Sequence, residues 1–217
     1  MAADADSSSP TRRPWRGVEA DERQARRRRQ LLDAAFAIMG TEGAAAVTMR
    51  GVCRRARLTE RYFYESFSGR EELLVEVLAA TANRAREVLL TALADAPGEP
   101  LEFIRHVVRA FTEFVTADPR RGRVLFVESL AAPELTSSGA SMVGDFTATI
   151  ADGLGRTDVT AAHADEHDLR LNAQAVFGAL AYLYQAWLTG AIDVDRDRFV
   201  EHVAQVIGNL ARSTSVR

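Results

Sequence analysis

Between positions 48 and 70 the chain crowds arginines and tyrosines together. Arg50, Arg54, Arg55, Arg61 and Arg70 are interleaved with Tyr62 and Tyr64, and accompanied by Thr48, Thr59, Glu60 and Ser66. Guanidinium and hydroxyl groups donate well to phosphate oxygens. An arginine also forks onto guanine O6 and N7, and a glutamate accepts from cytosine N4. The chemistry these side chains favour is recognition of a nucleic-acid duplex. Charge distribution agrees. Residues 1–70 hold 14 Arg against 9 Asp+Glu, whereas residues 71–217 hold 13 Arg against 21 Asp+Glu, within a net charge of −3. A basic head on an acidic body can approach phosphates at one end only.

Other chemistries are weaker. His163-Ala-Asp-Glu-His167 spells H-x-x-E-H, the order of an inverted zinc-protease motif. A zinc hydrolase on His163, Glu166 and His167 would find only Glu201 downstream as a carboxylate ligand, so a solvated helix start is the better reading. Cys53 is the sole cysteine and reads as a small buried residue. It allows no internal disulfide, which fits a reducing compartment. There is no Gly-rich phosphate loop and no paired Glu-x-x-His. The sequence therefore implies no catalytic residue, no metal and no cofactor. A helical interaction or ligand-binding protein whose head does not read DNA is the third reading.

The reading residues need short, capped helices to hold them. Leu31, Leu32, Ala35, Phe36 and Met39 recur at helical spacing within a first helix expected over about 21–40, and Gly43 suits its stop. Thr48 is an N-cap for a second helix over 49–56. Arg57–Leu58 form a turn. Thr59 caps a third helix reaching Phe67. Val52, Ala56, Leu58, Phe63 and Phe67 have the spacing to pack this head against Leu32, Ala35 and Phe36. Ser68 and Glu71 have capping-box spacing at the start of a long helix to about Leu93, and Ala96–Pro100 breaks it. Helices are expected over about 101–116 and 118–129. A weaker one covers 133–155 with a break at 136–139, a loop covers 156–164, and two closing helices span 166–189 and 195–212. Nothing alternates with period two, so the fold class is all-α: a three-helix helix-turn-helix head and a larger helical body. The division is a disordered Arg-containing arm at 1–22, a head at 23–68 and a body at 69–217.

The stretch Arg29–Leu74, through LLDAAFAIMGTEG, TMRGVCRRARL and TERYFYESFSGREELL, resembles the DNA-binding domain of the TetR family. Tyr64, Phe67, Arg70, Glu71 and Leu73 fall on the family's Tyr-x-x-Phe, basic and Glu-x-Leu positions. The resemblance implies that Thr48, Tyr64 and Arg70 hold phosphates, that Glu60, Arg61 and Tyr62 read bases, and that Phe63 and Phe67 are core. It departs at Arg57, where the turn usually has Gly, so a non-Gly residue is expected at positive φ. Ser66 stands where His is frequent.

The resemblance further implies a ligand-responsive regulator of transcription, a repressor in the first instance. It would bind double-stranded operator DNA as a homodimer and be released by a small molecule held in the body. Phe111, Phe114, Phe126, Met142, Phe146 and Trp187 are the candidate ligand contacts. They favour an apolar or aromatic effector. Residues 169–190 and 195–212 are the candidate dimer helices. Ala173–Ile192 has the length of a membrane span but carries Gln174, Gln185 and Thr189 and is followed by Asp193, Asp195 and Asp197. A buried helix is the reading. No apolar leader opens the chain, and a cytoplasmic location is expected.

Overall fold

The computed structural model describes residues 15–155 and 166–212. Helix α1 (Trp15–Glu42) begins earlier than the sequence pattern implies, so residues 15–22 are helical rather than part of an extended arm. Gly43 ends it at φ 96°, and its N–H bonds to Met39 O at 3.1 Å. A 3-10 turn (Ala44–Ala46) leads to α2 (Met49–Ala56) and then α3 (Glu60–Tyr64). Leu31, Ala35, Val52, Phe63 and Phe67 are all buried in the seam between these helices.

The long helix α4 (Arg70–Ala94) joins head to body. It starts two residues later than Ser68. The expected reciprocal cap does not form: Glu72, not Glu71, reaches back, and the Ser68 N–H and hydroxyl both donate to its Oε2 at 2.6 Å. Those bonds hold the Glu72 carboxyl below its ordinary pKa. The body continues with α5 (Pro100–Ala117) and α6 (Pro119–Arg123). A π-helical turn (Val124–Glu128) and α7 (Ser129–Ala131) prolong α6, so the helix expected over 118–129 is present but widened in its middle. After a 3-10 turn (Pro133–Leu135) come α8 (Thr136–Gly155), α9 (Glu166–Leu188) and α10 (Arg196–Arg212). The break expected at 136–139 is instead the first turn of α8, and the loop expected at 156–164 lies outside the described residues. No strand occurs among the described residues, and none of their helices is long and apolar enough to cross a membrane. Ala173, Val176, Ala181 and Tyr184 of α9 are buried in the body.

The turn between α2 and α3 carries the one strained feature of the head. Arg57 adopts φ 56° and ψ 40°, the left-handed region. This geometry lets Arg57 N–H reach Arg54 O at 3.3 Å and Leu58 N–H reach Cys53 O at 2.9 Å, closing α2. A side chain there costs about 1–2 kcal/mol, partly offset in a glycine variant by greater unfolded-chain entropy of about 0.5–1 kcal/mol. Arg57→Gly is therefore expected to stabilise the protein by about 0.5–1 kcal/mol. A urea midpoint equal to or below that of the parent chain would refute this account of the turn.

Candidate nucleic-acid interface and inner cavity

Helices α2 and α3 present one exposed surface. Thr48 caps α2, its Oγ1 accepting from Gly51 N–H at 3.1 Å. A Cβ on Gly51 would approach that oxygen to 2.9 Å, a contact that a small rotation of the Thr48 side chain relieves. Arg50, Arg54, Arg55, Thr59, Glu60, Arg61 and Tyr64 are exposed, with Tyr64 at 61%. Thr59 caps α3 by position, but its hydroxyl makes no capping bond. The arginines are partly neutralised within the protein. Arg50 Nε lies 3.4 Å from Glu60 Oε1, and Arg61 Nε donates to Glu65 Oε1 at 2.8 Å. At such exposure these pairs contribute little to stability and exchange readily for another anion.

Three sequence-read residues sit differently. Tyr62 is half-buried, its ring 4.4 Å beneath the Arg27 guanidinium. Ser66 turns back onto its own helix, its hydroxyl donating to Tyr62 O at 2.9 Å. Arg70 points inward, not to the basic surface. Its Nε donates to Val47 O and its Nη2 to Ala44 O, both at 2.7 Å, while Nη1 pairs with Glu134. That pairing holds the Glu134 carboxyl below its ordinary range. The physical reason is local: Ala44 O accepts one backbone bond, from Val47 N–H at 3.1 Å, and has a second lone pair to offer, and the first turn of α4 places Arg70 beside it and beside Val47 O. Cys53 is buried under α2, and burial raises its thiol pKa, which makes it a poor nucleophile.

In the body a cavity of about 400 Å³ lies among α4, α5, α8, α9 and the π-helical turn. Phe111, Phe126, Met142 and Phe146 line it. Phe114 and Trp187 do not. Phe114 lies 4.5 Å beneath the Arg121 guanidinium, and Trp187 stacks on Phe199 at 4.2 Å with its Nε1 donating to Val194 O. Among the described residues the lining contains no acid, base or amide side chain.

Between cavity and head runs a chain of contacts. Leu125, Phe126 and Ser129 face the cavity. Glu128, from the same π-helical turn and only 8% exposed, accepts from Ala44 N–H at 2.8 Å and from Arg123 Nε at 2.9 Å. Arg123 also donates to Thr41 O at 2.9 Å. Above this, Gly40 of α1 sits so near Arg120 that a Cβ would come within 2.4 Å of it.

The comparisons with known proteins bear on this arrangement of reading head and helical body. Residues 31–77 match the model of the family described as bacterial regulatory proteins, tetR family. Over these residues the chain is similar to the TetR family. The HTH-type transcriptional repressor KstR of Rhodococcus jostii (strain RHA1) is 30% identical over 135 residues, which covers 59% of this chain and 62% of that protein. The HTH-type transcriptional regulator BetI of Rhizobium meliloti (strain 1021) is 29% identical over 83 residues, 38% of this chain and 40% of that protein. The chain thus spans from two fifths to just under two thirds of the length of these relatives. The regulator FadR of Bacillus subtilis, solved in complex with stearoyl-CoA, superposes with a TM-score of 0.68 at 16% identity, covering 85% of this chain and 97% of that one.

Both of these relatives, KstR and BetI, are named as regulators of transcription. Of the H-x-x-E-H residues, His163 lies outside the described residues. Glu166 and His167 are exposed at the start of α9, where Glu166 pairs with Arg170 at 2.9 Å. Sequence reasoning missed Arg123, Glu128 and Glu134. Arg123 and Glu128 pair five residues apart, but their links to the head lie 82 and 84 residues away, and Glu134 meets Arg70 from 64 residues away.

Proposed function

We propose that this protein is a ligand-responsive repressor of the TetR family that binds a palindromic operator as a homodimer and releases it when a small molecule enters the body. Residues 23–68 act as the reading head and 69–217 as the effector-binding and dimerisation unit, in the cytoplasm. The observation that carries the reading is the pairing of an exposed arginine, threonine and tyrosine surface on α2 and α3 with an apolar cavity reached through Glu128.

On this reading Thr48, Arg50, Thr59 and Tyr64 hold phosphates, and Glu60 and Arg61 read base edges. Arg70 supports the surface from behind by fixing the carbonyls of Ala44 and Val47. Tyr62 and Ser66 are placed to shape α3 more than to touch DNA. Two heads must lie about one helical turn apart, ~34–36 Å, or a multiple of it. The stripe Leu171, Ala175, Ala179, Tyr182 and Ala186 on α9 supports dimerisation. Leu171 is 69% exposed and Tyr182 73% exposed, and the five positions share one helix face. Phe199, Val203 and Ile207 of α10 are buried within their own chain, which leaves half-buried Val206 and Leu210 as that helix's apolar contribution. The effector acts through its differential affinity for the two states of the protein. A KstR relative is named a repressor, and a FadR neighbour was solved with an acyl-CoA, which is consistent with an apolar effector here.

The test is fluorescence anisotropy of purified protein against DNA from upstream of its own gene, with scrambled DNA as control, at two salt concentrations. Selective, salt-sensitive binding is expected. Arg61→Ala is expected to weaken operator binding about ten- to hundred-fold and relax specificity at one base pair. Tyr64→Phe should weaken operator and scrambled DNA alike. An Arg61→Ala loss that is equal on both DNAs would demote this side chain to a backbone contact.

A further inference from the structure

The cavity offers an incoming ligand almost no polar partner. Its lining includes three hydroxyl side chains, Ser129, Thr149 and Tyr184. Each directs its proton into the protein. Ser129 donates to Leu125 O, and Thr149 donates to Asp145 O at 2.9 Å. The Thr112 hydroxyl donates to Val108 O at 2.7 Å, so the 2.6 Å contact between Thr112 and Tyr184 is a bond donated by the tyrosine. The surrounding backbone N–H groups belong to helices. A ligand seated wholly inside would leave any carboxylate, phosphate or sulfonate without a donor, at a prohibitive desolvation penalty.

Among the described residues, Arg86 is a cation bonded to a lining side chain. It is exposed on α4, one turn before the lining residue Leu89 and two before Leu93. Its Nε donates to Thr149 Oγ1 at 3.4 Å, a long and weak bond. Among the described residues no carboxylate pairs with it, in contrast to Arg50, Arg61, Arg105 and Arg120. Thr149 itself is buried and borders both the guanidinium and the cavity. A guanidinium with one weak bond and its remaining donors in solvent suits a bidentate anion.

We propose that Arg86 anchors the anionic head group of an amphipathic ligand whose apolar tail fills the cavity. This rests on the cavity being the effector site. The head stays at the rim, displaces the weak Thr149 contact and takes two donors from the guanidinium, while the tail meets only apolar walls. The ligand class is a single-chain amphiphile with a carboxylate or phosphate end. A wholly neutral hydrocarbon is excluded from the first rank because it leaves Arg86 unused.

The test is calorimetric titration of the full-length protein at 0.15 M salt with dodecanoate, dodecan-1-ol and dodecyl phosphate, each below its micelle concentration. Wild-type protein is expected to bind the two anions at least about ten-fold more tightly than the alcohol. Arg86→Gln should erase that preference by weakening the anions about ten-fold, with dodecan-1-ol binding and the melting temperature unchanged; Arg86→Lys should retain part of it. Preference for one anion over the other identifies the head group. Equal binding of acid and alcohol by the wild type, or an unchanged preference in Arg86→Gln, overturns the anchor while sparing the cavity. Failure of all three probes to bind overturns both the anchor and the effector-site reading.

Discussion

Tyr184→Ala is expected to destabilise the protein by about 3–5 kcal/mol. At 1% exposure its ring stacks on Phe126 with centroids 5.0 Å apart. It also meets Phe111 and Phe199 edge-on at 5.3 Å and 5.0 Å. Truncation would remove these contacts and open a void beside the existing cavity, a place where neighbours already fail to close the space. The void therefore persists, which puts the cost at the upper end of the range for an aromatic truncation. For a chain of this size each kcal/mol lowers the melting temperature by about 2–4 °C, so a fall of about 10 °C is expected. Tyr184→Phe is the control. The Thr112 hydroxyl keeps its bond to Val108 O, so the loss should stay near 1 kcal/mol. A Tyr184→Ala protein melting within a few degrees of the wild type would show that the aromatic cluster is not the body's keystone.

Glu128→Ala is expected to cost about 2–3 kcal/mol and to loosen the head locally. The substitution strips the acceptor from a buried Ala44 N–H and leaves Arg123 without its carboxylate. The full penalty of a buried broken pair does not apply, because Arg123 remains 39% exposed to water. Hydrogen exchange should locate the effect: the amides of Ala44 to Val47 exchange faster, while those of α9 are unchanged. Glu128→Gln keeps an acceptor for the amide and should recover most of the protection. On the proposed reading Glu128→Ala also uncouples the two ends, so that ligand binding relieves less of the operator affinity. Unaltered exchange at Ala44 would mean that this bond does not connect the π-helical turn to the head.

Legibility followed the range of the interactions. The helices of the head could be read because their signals are local: Thr48 and Thr59 at the caps, Phe63 and Phe67 on one face, Arg57 at a turn demanding positive φ. Helix α2 has the expected bounds, 49–56. The start of α1 was not legible, since residues 15–22 lack the apolar spacing that marks a helix. The π-helical turn leaves no residue signature. Arg70 reads from the sequence as an outward phosphate contact, because an arginine at a helix start beside other arginines has that look. In the structure its donors go to carbonyls 23 and 26 residues away and to a glutamate 64 away, which no spacing rule reaches. Of the aromatic set, Phe111, Phe126, Met142 and Phe146 reach the cavity, whereas Phe114 and Trp187 lie on helix faces whose neighbours are fixed only by tertiary packing.

The ion pairs that thread the head carry a kinetic consequence. Arg50 already holds Glu60, Arg61 holds Glu65, and Arg27 lies 3.9 Å from the same Glu65. A protein using these arginines on a duplex must trade each carboxylate for a phosphate, and fewer counterions are set free than a count of arginines implies. On the proposed reading, grip on arbitrary sequence is thereby shallow. Dwell times between wrong sites shorten and the search along a chromosome quickens, while a matched site regains the difference through contacts to base edges. The acidic residues beside the reading surface then act as a brake on loitering.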